Sequence, residues 1–153
     1  MFSVSDLEVK QVRTAARIID TVEKLTKKYD TRDPYELCKC LGIKIHFYDM
    51  EKKLKGFFFY QSRQKNIVID SNVNEVLERI LVAHELGHAV LHTKIAMMKG
   101  FQEMEVLDSG SPEEDEANFF EYSCAGVPLF RRNGYRQSSG RKPLIRNRDT
   151  TLN

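Results

Sequence analysis

Residues 80–92 read ILVAHELGHAVLH, an apolar run that carries one carboxylate, Glu85, and three histidines, His84, His88 and His92. Apolar residues recur at helical spacing on nearly all sides of this run, which predicts a helix buried in the protein. Burying a carboxylate without a partner is costly, and buried charges are normally paired or bound to a metal. The run therefore predicts a buried helix whose polar residues meet an ion or a charged partner.

Two of the histidines have the spacing of metal ligands. His84 and His88 are four residues apart, so on a helix both rings project from one face and can share a single ion. With Glu85 they form the pattern HExxH, in which two histidines bind zinc and the glutamate takes a proton from a zinc-activated water molecule. We therefore predict one Zn²⁺ per chain, with Glu85 as the general base. The structural alternative is two core histidines and a surface glutamate.

His92 continues the series of histidines by one more turn. Its ring would lie too far from the midpoint of His84 and His88 to share the same ion, so we expect it to pack or hydrogen-bond behind the ligands. The longer metzincin pattern is excluded, because that pattern has glycine and histidine where this chain has Leu91 and Lys94.

A third protein ligand must come from elsewhere in the chain, because a catalytic zinc keeps three protein ligands and one open position. No histidine follows residue 92, and the acid cluster that precedes a helical pattern lies in SPEEDEANFF, residues 111–120. The candidate ligands in this cluster are Glu113, Glu114, Asp115 and Glu116. Glu114 has a competing structural role, because it follows Ser111 by three residues and could complete a capping box.

Helix start and stop signals predict the remaining helices. Ser5 caps a helix over about 6–28, and Asp33 followed by Pro34 starts a short helix that Gly42 ends. Asn72 caps the HExxH helix, which extends to about residue 92. We expect a loop over 94–111 and a last helix after it.

Three short segments predict strands. Residues 43–48 alternate between apolar and polar side chains, as in a half-buried strand. Gly56–Tyr60 and Asn66–Asp70, separated by five polar residues, have the pattern of a hairpin. We therefore predict an α+β fold with a small three-stranded antiparallel sheet.

HELGHAVLH followed by EDEANFF resembles the ImmA/IrrE family of metallopeptidases. In that family the HExxH helix is followed, after a variable loop, by a pattern close to E-x-x-A-N/D-x-F, which Glu114, Ala117, Asn118 and Phe120 match. The resemblance implies that Glu114 is the third ligand and that Asn118, one turn further, orients a ligand. It extends from about Ile19 to Phe120. Family members usually continue with FAAxLLxP, whereas this chain reads FEYSCAGVPLF.

The resemblance also implies a fold and a function. The fold is a minimal zincin-like domain with N-terminal helices, a small sheet, a buried HExxH helix and a glutamate-bearing helix. The function is that of a zinc-dependent metalloendopeptidase that cleaves a helix-turn-helix repressor of a mobile element or a stress response. Because the chain departs from the family pattern after Phe120, the alternative is a noncatalytic module that binds a repressor without cleaving it.

Length and charge limit the other possibilities. We place one zincin-like domain over residues 1–130 and predict a disordered tail over 131–153, where seven basic residues stand with one acid. The tail has a single aromatic residue, Tyr135, and no helix-turn-helix is visible, so direct nucleic-acid binding is not expected. With no apolar stretch near the ~20 residues of a membrane span and no signal-peptide layout, we expect a cytoplasmic protein.

Overall fold

The computed structural model describes residues 4–50, 54–99 and 111–126. Within these ranges the chain forms five helices and three strands, which confirms the α+β class. They are α1 (Val4–Tyr29), α2 (Pro34–Cys40), β1 (Lys44–Tyr48), β2 (Gly56–Gln61), β3 (Gln64–Asp70), α3 (Glu75–Leu91), α4 (Thr93–Lys99) and α5 (Pro112–Cys124). The predicted tail and the predicted boundary at residue 130 lie outside the described residues.

The short helix α2 begins and ends where its sequence signals indicate. The side chain of Asp33 accepts hydrogen bonds from the backbone N–H groups of Tyr35 and Glu36, and Pro34 occupies the first turn. Gly42 follows the end of the helix with a φ of 67°, the left-handed conformation that glycine adopts without a steric penalty. These local contacts explain why seven residues suffice for a defined helix between α1 and the sheet.

The sheet is mixed, so the prediction of a wholly antiparallel sheet is wrong for one strand. Its order is β1-β3-β2, with β2 antiparallel and β1 parallel to β3. The hairpin formed as predicted, because Ser62 and Arg63 adopt the positive φ values of a tight two-residue turn. Strand β3 is the central strand, with a neighbouring strand along each edge. Its residues 66–70 are all buried.

Helix α3 begins two residues later than predicted and ends near residue 92 as predicted, with His92 as its C-cap. Its N-cap is Asn74, whose side chain accepts from the N–H of Leu77 at 2.9 Å, whereas the side chain of Asn72 donates to Asp49 and Asp70. After α3 the short helix α4 occupies the first part of the predicted loop over 94–111. Residues 100–110 of that loop lie outside the described residues.

The core lies between the sheet and the helices, and α3 is at its centre. This helix contacts α2, α5 and the strands β2 and β3. Its most buried side chains, Val82 and Leu86, pack with residues of every other layer: Ile18, Val22, Leu37, Ile67, Ile69 and Phe120. The HExxH segment is therefore held by packing on several sides. Among the helices that the structure describes, none is long and apolar enough to cross a membrane.

Asp70 fixes the segment after β1 to the end of β3. Its buried carboxylate accepts hydrogen bonds from Lys55 Nζ at 2.8 Å, the Asn72 N–H at 3.1 Å and the Met50 N–H at 3.3 Å. The Lys55 hydrogen bond, followed by the one from Asn72, lowers the pKa of Asp70 to about 2. A carboxyl whose pKa is lower in the folded state stabilises the fold at neutral pH, and that stabilisation is lost as the pH falls through the folded-state pKa.

We expect Asp70→Asn to lower the thermal midpoint by several degrees at pH 7, because the charged acceptor of Lys55 is lost. The difference from the wild-type protein should shrink as the pH falls towards 2, where Asp70 itself becomes neutral. Thermal unfolding followed by circular dichroism at several pH values measures both effects. The exposed Asp20, which pairs with Lys24 one turn along α1, gives the control Asp20→Asn. Equal midpoints for Asp70→Asn and the control would contradict the prediction.

Candidate metal centre

Three side chains meet between α3 and α5. His84 Nε2 and His88 Nε2 lie 3.2 Å apart, as their spacing of one helical turn predicts. The Glu114 carboxylate on α5 reaches both rings, with Oε2 at 3.2 Å from His84 Nε2 and Oε1 at 3.1 Å from His88 Nε2. The three residues form a group that could hold a metal ion.

The donor set fits a zinc ion. Zinc binds histidine nitrogen and carboxylate oxygen at about 2.0–2.2 Å in tetrahedral geometry, so neighbouring donor atoms lie roughly 3.3–3.5 Å apart. The distances of 3.1 to 3.2 Å in this group are close to that value. His88 is buried, with 5% of its side chain exposed, whereas His84 and Glu114 expose 15% and 19%. The group therefore faces solvent on one side, where a catalytic site needs an open position.

Burial sets the protonation of the two inner residues. Burial, followed by the neighbouring His84 and His92, lowers the pKa of His88 to about 3, so its ring is neutral and keeps a lone pair for a metal. Burial, followed by the charge of Glu114, raises the pKa of Glu85 to about 8, and a backbone hydrogen bond with Phe58 lowers it in part. A divalent cation near Glu85 would favour its charged form.

Glu85 lies beside β2, an edge strand of the sheet. Its carboxylate accepts the backbone hydrogen bond of Phe58. Gly56 of the same strand also lies close, because a Cβ atom placed on it would be 3.4 Å from Glu85 Oε1. The buried carboxylate is thus fixed at a sheet edge and has a backbone partner there, which answers why an apolar helix can carry it.

Of the two roles that the sequence left open for Glu114, its side chain takes the one at the histidines. Its backbone N–H donates to Ser111 Oγ at 3.2 Å, which caps α5, while its carboxylate faces the two histidines. Of the rival acids, Asp115 is exposed and Glu116 contacts His92 rather than the ligand cluster. Within the described residues, Glu113 forms no ion pair with either histidine.

His92 lies behind His88, where we expected it. It is buried, and its Nδ1 is 3.1 Å from His88 Nδ1. Its Nε2 is 3.3 Å from Glu116 Oε2, and Glu116 accepts a hydrogen bond from Arg17 Nη2 at 2.9 Å. Nδ1 of His88, which faces away from Glu114, is therefore hydrogen-bonded to a buried histidine, and that histidine in turn contacts Glu116.

Two residues of α5 differ from what the sequence indicated. Asn118, expected to orient a ligand, is exposed and makes no hydrogen bond to the cluster in the part of the chain that the structure describes. Glu121, which the sequence did not indicate as a site residue, has its Oε2 3.9 Å from His84 Nδ1, and burial raises its pKa. Its spacing of seven residues from Glu114 puts both on one face of the helix, a signal that could have identified it.

The two helices of the site approach closely at Gly87. A Cβ atom on Gly87 would lie 3.2 Å from the Cα and from the carbonyl oxygen of Ala117, and 3.2 Å from Cβ of Phe120. Two of these atoms belong to the backbone and cannot rotate away. The absence of a side chain at position 87 therefore sets the distance at which Glu114 of α5 faces the histidines of α3.

We expect Gly87→Ala to reduce metal affinity and stability. Alanine gains about 1 kcal/mol of helix propensity over glycine, whereas overpacking typically costs about 1–3 kcal/mol, so the net effect is a destabilisation of roughly 1 kcal/mol. The added methyl group should also push α3 and α5 apart, which moves Glu114 away from the two histidines. Urea unfolding and competition with a chromophoric chelator measure the two effects.

Gly42→Ala is the matched control for this prediction. An added Cβ there meets nothing within 4 Å, but the φ of +67° is strained for alanine. This control should lower stability and leave metal affinity unchanged. A Gly87→Ala protein that binds metal as the wild type does would contradict the prediction.

Comparison with known proteins identifies relatives of this chain. The family model described as the IrrE N-terminal-like domain (Peptidase_M78) matches residues 38–136. A protein of Bacillus phage phi105, described as uncharacterized immunity region protein 2, is 38% identical over 99 residues. The alignment covers 65% of this chain and 61% of the phage protein, so it spans less than two thirds of that relative.

Proposed function

Because the chain belongs to the IrrE N-terminal-like family of metallopeptidases, we propose that it is a zinc-dependent metalloendopeptidase. His84, His88 and Glu114 are the proposed ligands, and Glu85 is the proposed general base. The observation that carries the proposal is the convergence of two histidine nitrogens, 3.2 Å apart, with the two oxygens of the Glu114 carboxylate, each 3.1 to 3.2 Å from one of the nitrogens, next to the buried Glu85.

The proposed chemistry divides between the ion and the protein. Zinc held by these donors would polarise a peptide carbonyl and lower the pKa of a water molecule to about 7. Glu85 accepts a proton from the attacking water on its carboxylate and then donates it to the nitrogen of the leaving amine. The hydrogen bond with Phe58 holds the Glu85 carboxylate in place during both transfers.

The edge strand β2 is the proposed binding position for the substrate backbone. Strand β2 pairs with β3 along one edge, and the backbone of Phe58 forms a hydrogen bond with Glu85, the proposed general base. Extended peptides bind to edge strands by adding a strand. A peptide placed along β2 would pass beside Glu85, and Gly56 has no side chain to obstruct it there.

The proposed substrate is a helix-turn-helix repressor of a mobile element or a stress response. The resemblance to the ImmA/IrrE family supports this class of substrate. The description of the phage relative as an immunity region protein agrees with it. We place the enzyme in the cytoplasm with its repressor, and direct binding to nucleic acid is not part of the proposed function.

The test uses the full chain and the helix-turn-helix repressor encoded nearest to its gene. The zinc-loaded protein should yield two repressor fragments that mass spectrometry assigns to one cleaved bond. Chelation should stop the cleavage, and added zinc should restore it. If a protein with about one zinc per chain binds the repressor and leaves it intact, the protease proposal fails and the noncatalytic module replaces it.

A further inference from the structure

We propose that Arg17 of α1 is a positioning residue of the metal centre, acting on His88 through Glu116 and His92. This inference rests on the proposed function, because it concerns how the ligand His88 is held. The four side chains form one line of contacts between α1, α5 and α3. Their distances are 2.9 Å from Arg17 Nη2 to Glu116 Oε2, 3.3 Å from Glu116 Oε2 to His92 Nε2, and 3.1 Å from His92 Nδ1 to His88 Nδ1.

The chemistry of the imidazole ring gives this line of contacts a direction. For His88 Nε2 to bind a metal it must keep its lone pair, so the ring proton must be on Nδ1. His88 can donate that proton to Nδ1 of His92 when this nitrogen carries no proton of its own. His92 then carries its own proton on Nε2 and donates it to Glu116, whose carboxylate accepts hydrogen bonds from His92 and Arg17. Each link thus favours the tautomer of His88 that can bind a metal.

The side chains in this line of contacts differ in their exposure to solvent. This difference allows their effect on the metal centre to be distinguished from their effect on the stability of the fold. His92 is 8% exposed, whereas the Glu116 and Arg17 side chains are 22% and 57% exposed. An ion pair as exposed as Arg17 and Glu116 contributes little to the stability of a fold. Its direct neighbour, however, is a buried histidine in contact with a ligand. The pair should therefore affect the metal centre more than it affects unfolding.

Arg17 also lies outside the part of the chain that the family model matches, which starts at residue 38. Helix α1 contacts α5, and Arg17 meets Glu116 two residues after the proposed ligand Glu114. The N-terminal helix is thus assigned a part in the metal centre as well as in the core.

The experiment compares zinc affinity in Arg17→Gln, Glu116→Gln and the matched control Arg13→Gln of the full chain. Arg13 is an exposed arginine one turn earlier on the same helix. Loss of a residue behind a metal ligand typically costs about 10–100-fold in metal affinity. We expect Glu116→Gln in that range and Arg17→Gln near its lower end, with Arg17→Lys close to the wild type and the control unchanged.

Two further readouts keep the test independent of catalysis and of folding. The absorption spectrum of the cobalt-substituted protein reports the ligand geometry and should change in Arg17→Gln. The thermal midpoint of the metal-free protein should be the same in Arg17→Gln and Arg13→Gln. Wild-type zinc affinity in Arg17→Gln, or a loss of affinity matched by Arg13→Gln, would overturn the inference and leave the proposed function intact. A wild-type protein that binds no zinc would overturn both.

Discussion

Replacing Glu85 by glutamine should lower the rate of repressor cleavage by roughly 10²–10⁴-fold, the usual contribution of a positioned general base. Glutamine has nearly the same shape, and its side-chain oxygen can accept the same backbone hydrogen bond from Phe58. The three proposed ligands are untouched. The substitution therefore removes the proton acceptor with little change to the rest of the site.

The measurement is single-turnover cleavage of the repressor, with the zinc content of each sample determined beside it. Glu75→Gln is the control, because Glu75 is an exposed residue in the first turn of the same helix. We expect the control to cleave normally and Glu85→Gln to bind zinc and the repressor without cleaving. Cleavage at the wild-type rate by Glu85→Gln would exclude Glu85 as the base. Repressor control that persists in Glu85→Gln would instead favour the noncatalytic module.

Glu114→Gln should weaken zinc binding by at least about 100-fold. The loss of a residue behind a ligand already costs about 10–100-fold, and Glu114 supplies one of the three donor groups as well as the negative charge. The cap of α5 should survive, because Ser111 Oγ accepts from the backbone N–H of residue 114 and not from its side chain. The effect on metal binding can thus be separated from the effect on the helix.

Glu113→Gln is the matched control, since it changes the adjacent acid in the same helical turn. Competition with a chromophoric chelator gives the zinc affinity, and circular dichroism checks the helix content of both variants. We expect wild-type affinity for Glu113→Gln. Equal losses in the two variants would mean that the acid cluster attracts the cation by charge alone, and a loss in Glu113→Gln alone would transfer the role of third ligand to Glu113.

Local patterns predicted the elements of this fold well and their long-range pairing less well. The caps at Asp33 and Ser111 and the hairpin formed as predicted, because each depends on residues a few positions apart. The parallel pairing of β1 with β3 depends on the path between β1 and β2, which an alternating pattern does not encode. Helix α4, at seven residues, is too short for a clear period.

In the candidate site, too, the sequence predicted the contacts between nearby residues and missed those between distant ones. The spacing of His84 and His88 predicted that the rings would meet, and the sequence narrowed the third ligand to four acids, of which the resemblance selected Glu114. The contact between Arg17 and Glu116 joins residues 99 positions apart, so no local signal indicates it. The close approach at Gly87 was also missed, because a glycine inside a helical pattern does not reveal which element packs against it.

The contact between Gly87 and Ala117 limits how this sequence can evolve. A side chain at position 87 would meet the backbone of Ala117, so a residue larger than glycine there must push α3 and α5 apart and carry Glu114 away from the histidines. Position 87 should therefore remain glycine, and position 117, where the alanine is fully buried, should remain confined to small residues. Asn118 follows Ala117 directly but is exposed, so this packing constraint does not apply to it.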